Sequence, residues 1–133
     1  MKKKLRSFRD LIAWQRGMEL VRAVYMVTRR MPREERFGLT AQMRRAAVSV
    51  PSNIAEGYAG QSGGNYIRHL RIARGSLAEL STQVDLAVSM EMIPPDQQLS
   101  ELMREEERIL QALIKSLESK TVCKQKPLSA SVP

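Results

Sequence analysis

Residues 66–87 read YIRHLRIARGSLAELSTQVDLA, and this stretch decides the fold class. Its apolar side chains recur at uninterrupted steps of four and three residues, at Tyr66, Leu70, Ala73, Leu77, Leu80, Val84 and Ala87. This spacing places them along one side of an α-helix and is typical of a packing seam in a helical bundle. We therefore expect a helix here, ending near Met92, that packs against other helices.

Three further stretches show helical periodicity. They are expected to run from the Ser7–Asp10 capping signal to about Arg30, from near Thr40 to near Gly60, and from about Asp96 to Lys120. The connections are short and contain prolines and glycines, so successive helices should run in opposite directions. The sequence thus predicts an all-α, antiparallel up-down-up-down four-helix bundle over residues 8–120. A basic arm precedes it at residues 1–7, and a disordered tail follows at residues 121–133.

The first and fourth helices are predicted to be amphipathic. The first has two adjacent apolar stripes, Leu11, Trp14, Met18, Val21, Tyr25 and Thr28 in one and Ala13, Gly17, Leu20, Val24 and Val27 in the other. The fourth has a stripe at Leu99, Met103, Leu110, Leu113 and Leu117. Its glutamates at positions 101, 105 and 107 are expected to face outward.

The second helix contains a proline within the stretch RRAAVSVPSNIAEG, residues 44–57. An interior proline lacks a backbone N–H and clashes with the preceding turn, which costs about 3 kcal/mol. The helix either ends there, with Ser52 or Asn53 capping a new one, or continues with a kink at Pro51. In the second case the Ala47 carbonyl needs another donor. Because the apolar spacing persists across the proline, the sequence favours the kinked, continuous helix.

Polar and small residues follow the proline. Asn53 and Glu56 are one turn apart and share a helix face, and Gly57 should let another helix approach closely. We expect Asn53 to satisfy backbone groups left open by the proline. Glu56 is expected to pair with an arginine such as Arg44 or Arg45 of a neighbouring chain. The alternative is a catalytic carboxylate, but no second acid, histidine or nucleophile lies within helical reach.

Composition argues against several classes of function. A single cysteine, Cys123, excludes an internal disulfide, and the lone His69 cannot form a zinc site by itself. No apolar run approaches the roughly 18 residues that a membrane span needs. The chain also has no paired Glu-x-x-His motif and no glycine-rich phosphate loop. We therefore expect a cytoplasmic, non-enzymatic protein without a cofactor or metal.

The net charge of +8 is unevenly distributed along the chain. Residues 1–45 hold 13 Lys/Arg against 4 Asp/Glu, whereas residues 76–120 hold 4 against 9. A basic half joined to an acidic half suits an anionic polymer as partner. It suits charge pairing between helices or between subunits equally well.

The run LTAQMRRAAVSVPSNIAEG at residues 39–57, with FRDLIAWQ upstream and IARGSLAEL downstream, closely resembles the 23S rRNA-intervening-sequence proteins. This bacterial family resembles the chain over about Phe8 to Lys120. The resemblance implies a four-helix protomer that assembles into a ring-shaped homopentamer. A related group, the accessory proteins of diversity-generating retroelements, comprises basic pentameric barrels that bind nucleic acid and a reverse transcriptase. This chain departs from the family pattern at Arg71 and Arg74, where members tend to carry small or apolar residues.

Two functions follow as expectations. The first is binding of structured RNA or another nucleic acid through phosphate contacts, without base-specific readout and with avidity from the ring. The residues expected to make these contacts are Lys2, Lys3, Lys4, Arg6, Arg44, Arg45, Arg68, Arg71 and Arg74. The second is a homo-oligomeric scaffold for another protein. In that case the arginines pair with the glutamate-rich fourth helix across subunit interfaces.

Overall fold

The computed structural model describes residues 5–60 and 62–130, with side-chain environments for residues 5–60 and 62–120. This part of the chain contains helices and no strand. The elements are α1 (Ile12–Thr28), α2 (Leu39–Ala59), α3 (Gly63–Ser89) and α4 (Gln97–Ala130), with 3₁₀ turns at Phe8–Asp10 and Arg33–Glu35. The predicted all-α class is confirmed.

Polar side chains mark the beginning of most helical segments. Ser7 Oγ accepts from the Arg9 N–H at 3.1 Å, and the Asp10 carboxylate accepts from the Ser7 N–H at 3.3 Å. The predicted capping box is therefore present, on the 3₁₀ turn that precedes α1. At the beginning of α2, α3 and α4 a single side chain accepts from a free backbone N–H, Glu35 from Leu39, Ser62 from Asn65 and Asp96 from Leu99.

The four helices pack in a closed ring, α1 with α2, α2 with α3, α3 with α4, and α4 with α1. Over the described residues, the backbones of the diagonal pairs, α1 with α3 and α2 with α4, stay more than 8 Å apart. Side-chain hydrogen bonds span each neighbouring pair, between Thr28 and Arg44, Ser49 and Ser76, Arg74 and Glu107, and Arg16 and Glu105. This arrangement fits a four-helix bundle.

The apolar seam predicted on residues 66–87 is the core face of α3. Six of its seven residues are buried, namely Leu70, Ala73, Leu77, Leu80, Val84 and Ala87. Tyr66, at its beginning, is partly buried. Because α3 packs against both α2 and α4, this face contributes to two of the four helix–helix interfaces.

On α1, the core uses mainly the second of the two predicted stripes. The buried residues are Ala13, Gly17, Leu20 and Val24 from that stripe and Thr28 from the first, whereas Val27 is only partly buried. Trp14 and Val21, from the other stripe, lie partly buried at the edge of the core, and Tyr25 is 39% exposed. Thr28 can be buried because its hydroxyl donates to the Val24 carbonyl at 2.7 Å.

α2 continues without interruption through Pro51. The alternative, a helix that ends at the proline with a new cap at Ser52 or Asn53, is therefore wrong. Pro51 is buried against α1, where a Cβ added to Gly17 would lie 3.3 Å from the proline Cβ. Burial of the Pro51 side-chain ring in the core offsets part of the free-energy cost of the lost backbone hydrogen bond.

Gly57 permits the close approach of α2 and α3. A Cβ at this position would lie 2.7 Å from His69 Cβ and 3.2 Å from Tyr66 Cδ1, so a larger residue would push the helices apart. The close approach predicted from this glycine therefore involves a helix of the same chain.

α4 extends to Ala130, about ten residues beyond its predicted end near Lys120. Apolar periodicity reports packing against other helices, and it ends near residue 120. A helix that has already nucleated can continue past its packed part, because each added residue gains one hydrogen bond. The disorder predicted for residues 121–133 stays a prediction.

Candidate nucleic-acid interface

Two arginines of the α3 row formed by Arg68, Arg71 and Arg74 face α4. Arg74 Nε donates to Glu107 Oε1 at 2.7 Å, and Arg71 forms an ion pair with Glu118. Pairing of arginines with the glutamate-rich fourth helix, predicted across subunits, thus occurs within one chain. These two guanidinium groups are partly neutralised before any partner binds.

Arg68, the third member of the row, contacts no carboxylate among the described residues. Its Nη2 lies 3.2 Å from Asn65 Oδ1 and 3.2 Å from His69 Nε2. Both contacts are with uncharged acceptors, and the side chain is exposed. Arg68 therefore keeps its positive charge at the surface, as a phosphate contact requires.

His69 connects α3 to the polar residues that follow the proline. Because the Arg68 guanidinium can only donate, His69 Nε2 accepts and Nδ1 carries the ring proton. Nδ1 then donates to Asn53 Oδ1 at 3.0 Å, and Glu56 Oε2 lies 3.7 Å away. Asn53 and Glu56 thus share a face as predicted, but the residue they meet is His69, which the spacing did not indicate.

The Asn53 amide group donates to the Ser49 carbonyl and to Ser49 Oγ, both at 2.9 Å. Ser49 Oγ in turn lies 2.8 Å from Ser76 Oγ on α3. Asn53 was predicted to hydrogen-bond to backbone groups that Pro51 leaves without a partner. Its acceptor is instead the Ser49 carbonyl, and not the Ala47 carbonyl. The network links α2 and α3 through neutral hydrogen bonds.

Arg44 and Arg45, adjacent in sequence, have different environments. Arg44 Nε donates to Thr28 Oγ1 at 2.9 Å, and its guanidinium lies 4.6 Å from the centre of the Tyr25 ring. Arg44 is thus held against α1. Arg45 is exposed beside the groove between α2 and α3 and forms no ion pair within the described part of the chain.

The predicted N-terminal contacts lie mostly outside the described residues, as Lys2, Lys3 and Lys4 do. Arg6 is exposed, and its backbone N–H donates to Asp10 Oδ2 at 2.7 Å. Of the nine residues predicted to contact phosphate, Arg6, Arg45 and Arg68 are exposed and form no ion pair within the described residues.

A second set of cations lies on α4 and was missed from the sequence. Arg104, Arg108 and Lys115 are exposed, and no carboxylate of the described residues lies within ion-pair distance of them. Their spacing of four and seven residues places them on one side of the helix. Arg104 and Arg108 border an open groove between α3 and α4 whose walls include Leu77 and Met103. The signal was present in this spacing, but the excess of glutamates in the same helix obscured it.

One carboxyl group is buried in the core. Glu106 is 0% exposed, and neither of its oxygens has a hydrogen-bond partner among the described residues. Burial, with a smaller contribution from the neighbouring Glu105 and against the opposing effect of Arg16, raises the pKa of Glu106 to about 8. The group is therefore mainly protonated at neutral pH and adds no charge to the surface.

The described residues contain neither a candidate membrane-spanning helix nor a candidate metal site. None of their helices combines the length and apolar character needed to cross a bilayer. Nor do they contain three histidine, cysteine or acidic side chains grouped closely enough to hold a metal ion.

A closed ring of four helices with an arginine-rich outer surface defines this chain as an all-α, four-helix protein. The family described as 23S rRNA-intervening sequence protein matches residues 9–115, and the chain belongs to that family. No curated protein matches it.

A similar solved structure is that of a protein of unknown function from the S23 ribosomal protein family of Bacteroides thetaiotaomicron. The two are 21% identical, with a TM-score of 0.68, over 78% of this chain and 96% of the other. At this identity the similarity shows the fold alone.

Proposed function

We propose that this chain is a non-enzymatic, cytoplasmic protein that binds structured RNA or another nucleic acid as a homopentameric ring. The protomer is an antiparallel up-down-up-down bundle with α2 kinked at Pro51. Binding is to the phosphate backbone, through cations on the outer surface.

The antiparallel order is supported by how the contacts progress along the chain. From α1 to α2, Gly17 lies near Pro51, whereas Thr28 bonds to Arg44. In each later pair of neighbouring helices, residue numbers likewise rise on one helix as they fall on the other. Between α2 and α3, Asn53 meets His69 and Ser49 meets Ser76. Between α3 and α4, Arg71 meets Glu118 and Arg74 meets Glu107. Between α4 and α1, Arg16 meets Glu105, whereas Ala23 lines one groove with Leu99.

The kink is supported by the chemistry of proline. Pro51 has no N–H, so the Ala47 carbonyl lacks its usual donor one turn later. Helices bend at such positions because the proline ring also crowds that carbonyl. Pro51 is buried against Gly17 of α1, so a bend at this position would lie in the packed core.

The binding proposal rests on one observation, that most exposed arginines of the described residues form no ion pair with a carboxylate. Within the described residues, Arg16, Arg71 and Arg74 form ion pairs. Arginines that are exposed and form none include Arg22, Arg29, Arg30, Arg33, Arg45, Arg68, Arg104 and Arg108. A protein that neutralises phosphates with such groups releases counterions, so its affinity falls with added salt.

Assembly is supported by exposed apolar side chains on the outer side of α3 and at the residue that follows it. Ile72, Leu86 and Met90 are 39%, 46% and 60% exposed in the isolated protomer. Ile72 and Leu86 are 14 residues apart, which places them on the same side of the helix. Burial of these residues between copies would remove apolar surface from water, and a ring would repeat each cationic surface.

The test is RNA binding at two salt concentrations. A fluorescein-labelled RNA hairpin is titrated with the protein at about 50 mM and about 200 mM salt, and light scattering gives the subunit number. We expect the affinity to fall steeply between the two salt concentrations. The double variant R104Q/R108Q should lower the salt dependence by about two phosphate contacts.

The matched control is R71Q/R74Q, which removes the same charge from arginines that are already paired. We expect it to weaken binding less than R104Q/R108Q does. An intact ring that binds the hairpin at neither salt concentration would leave only the scaffold function. Equal losses in the two variants would show that net charge, and not the unpaired arginines, governs binding.

A further inference from the structure

The connection between α1 and α2 carries the most exposed large apolar side chain of the described residues. Phe37 is 85% exposed in a turn that also contains Arg29, Arg30, Arg33 and Arg36. An aromatic ring left in water forgoes the free energy of burial, so such exposure points to an interaction surface. We refer to residues 29–38 as the Phe37 turn.

The turn is held in place at its end. The Glu35 carboxylate accepts from the Leu39 N–H at 3.0 Å, and the Gly38 N–H donates to the Glu35 carbonyl at 2.9 Å. A Cβ at Gly38 would lie 2.9 Å from Glu35 Oε1, so a larger residue would displace the carboxylate that accepts from Leu39. Phe37 thus lies in a short turn between the 3₁₀ segment Arg33–Glu35 and α2, and this turn is fixed to the beginning of α2.

The charge around the ring is positive. The Arg36 guanidinium lies 5.0 Å from the centre of the Phe37 ring, within cation–π distance. No carboxylate in the described part of the chain forms an ion pair with the four arginines of the turn. Of the two local glutamates, Glu35 is engaged at the cap.

An accessible aromatic ring among unpaired guanidinium groups suits a ligand that has both a π face and a negative charge. Unpaired nucleotides have both, and proteins that bind single-stranded nucleic acid combine aromatic stacking with a positive surface. The other exposed groups of the turn are charged, so it lacks the broad apolar face that binding to a lipid surface requires.

We infer that the Phe37 turn is a stacking platform for unpaired bases of RNA. A base stacks on the accessible face of the Phe37 ring, and the flanking phosphates contact Arg29, Arg30 and Arg33. Stacking does not depend on base identity, so the platform selects unpaired over paired regions and not one sequence over another. This inference rests on the proposed RNA-binding function and specifies which part of a structured RNA is bound.

The experiment compares single-stranded and duplex RNA of about 20 nucleotides per strand, with 2-aminopurine in the single strand as a reporter of stacking. We expect F37A to weaken single-strand binding about 5- to 100-fold, the range expected for loss of one stacking contact. Duplex binding should stay within about twofold of wild type, because paired bases cannot stack on an external ring. F37Y should retain single-strand binding and the change in 2-aminopurine fluorescence.

The matched control is I12A, which truncates a side chain that is 62% exposed at the other end of α1. It should change neither affinity, and circular dichroism should show that all variants are folded. If wild type binds neither RNA, the proposed function fails and the platform fails with it. If wild type binds both RNAs and F37A binds the single strand equally well, the platform alone is wrong.

Two further outcomes would also overturn the platform. An equal loss of single-strand and duplex binding in F37A would mean that the ring does not distinguish unpaired bases. Binding of wild type to vesicles of anionic phospholipid, lost in F37A while RNA binding is unchanged, would assign the turn to a membrane surface.

Discussion

The carboxyl group of Glu106 on α4 lies directly over Gly17 on α1. A Cβ at Gly17 would come within 2.9 Å of Glu106 Oε2 and within 3.3 Å of Pro51 Cβ. Three helices therefore meet at a position where one has no side chain, one has a proline and one has a buried acid. Pro51 and Glu106 therefore belong to the same part of the core, although only the proline stands out in the sequence.

This contact predicts that Gly17→Ala destabilises the protein. The added methyl group would displace the Glu106 carboxyl, and the rigid Pro51 ring leaves little room for adjustment. We expect the free energy of unfolding to fall by about 1–3 kcal/mol in a urea denaturation experiment. The control is Gly75→Ala in α3, where nothing lies within 4 Å of the added Cβ. There the higher helix propensity of alanine should raise stability by about 0.5–1 kcal/mol, and similar effects of the two substitutions would contradict the proposed contact.

Glu106 also predicts how stability depends on pH. Its pKa is about 8 in the folded protein against an ordinary value of 4.5, so between these values the folded state holds one more proton than the unfolded state. This contribution to stability is complete below about pH 4.5 and is lost as pH rises to about 8. The slope approaches 1.4 kcal/mol per pH unit within this window, and the total is on the order of 5 kcal/mol.

The measurement is urea denaturation of wild type and E106Q at about pH 5 and about pH 8.5, at one protein concentration. The free energy of unfolding of wild type should fall between pH 5 and pH 8.5. That of E106Q should not show this fall, because glutamine does not titrate, so the difference between E106Q and wild type should shift in favour of E106Q by several kcal/mol. Glu101→Gln, a change on the exposed side of the same helix, should follow the wild-type profile. Parallel profiles of wild type and E106Q would mean that the carboxyl is ionised within the fold.

The spacing of apolar residues predicted the buried face of α3 more completely than that of α4. The α3 seam has an apolar or small residue at every step, and six of its seven residues are buried. The α4 stripe steps from Met103 to Leu110 and leaves one turn empty, and Glu106 fills that turn. The gap itself indicated a buried position, but glutamate is so seldom buried that residue type argued the other way.

The candidate interface was less predictable, because it depends on contacts between distant residues. The spacing of Arg68, Arg71 and Arg74 showed that they form a row, but not which neighbour the row faces. The pairing of Arg74 with Glu107 is set by how α3 and α4 pack, and apolar periodicity leaves the alignment of charged side chains undetermined. Thus the row was predicted, and its pairing with the fourth helix was foreseen between subunits but not within one chain.

The Asn53–His69 hydrogen bond predicts one tautomer of the histidine. Because Nδ1 donates to Asn53 and Nε2 accepts from Arg68, neutral His69 should carry its proton on Nδ1. Long-range ¹H–¹⁵N NMR spectra would identify this form. Asn53→Ala should shift the ring towards a mixture of tautomers and lower the free energy of unfolding by about 1–2 kcal/mol. Asn65→Ala, which removes an exposed bond to Arg68, should cost less than about 0.5 kcal/mol. Finding the Nε2–H form in wild type would contradict this hydrogen-bond network.

The ion pairs between α3 and α4 predict that removing carboxylates strengthens RNA binding. In E107Q/E118Q, Arg74 and Arg71 lose their partners and become available to phosphate. Loss of two partly exposed ion pairs should lower stability by no more than about 1 kcal/mol each. We expect a higher affinity for an RNA hairpin at low salt, and a salt dependence steeper by about two phosphate contacts.

The control for this gain is E91Q/E101Q, which changes the net charge equally but releases no arginine, since neither carboxylate forms an ion pair within the described residues. Long-range attraction alone would strengthen binding in both double variants by the same factor, with nearly unchanged salt dependence. A larger gain in E107Q/E118Q, together with its steeper salt dependence, would show that Glu107 and Glu118 compete with phosphate for Arg74 and Arg71. Equal gains would mean that these two arginines make no contact with RNA, and the interface would then be confined to cations that are already unpaired, such as Arg104 and Arg108.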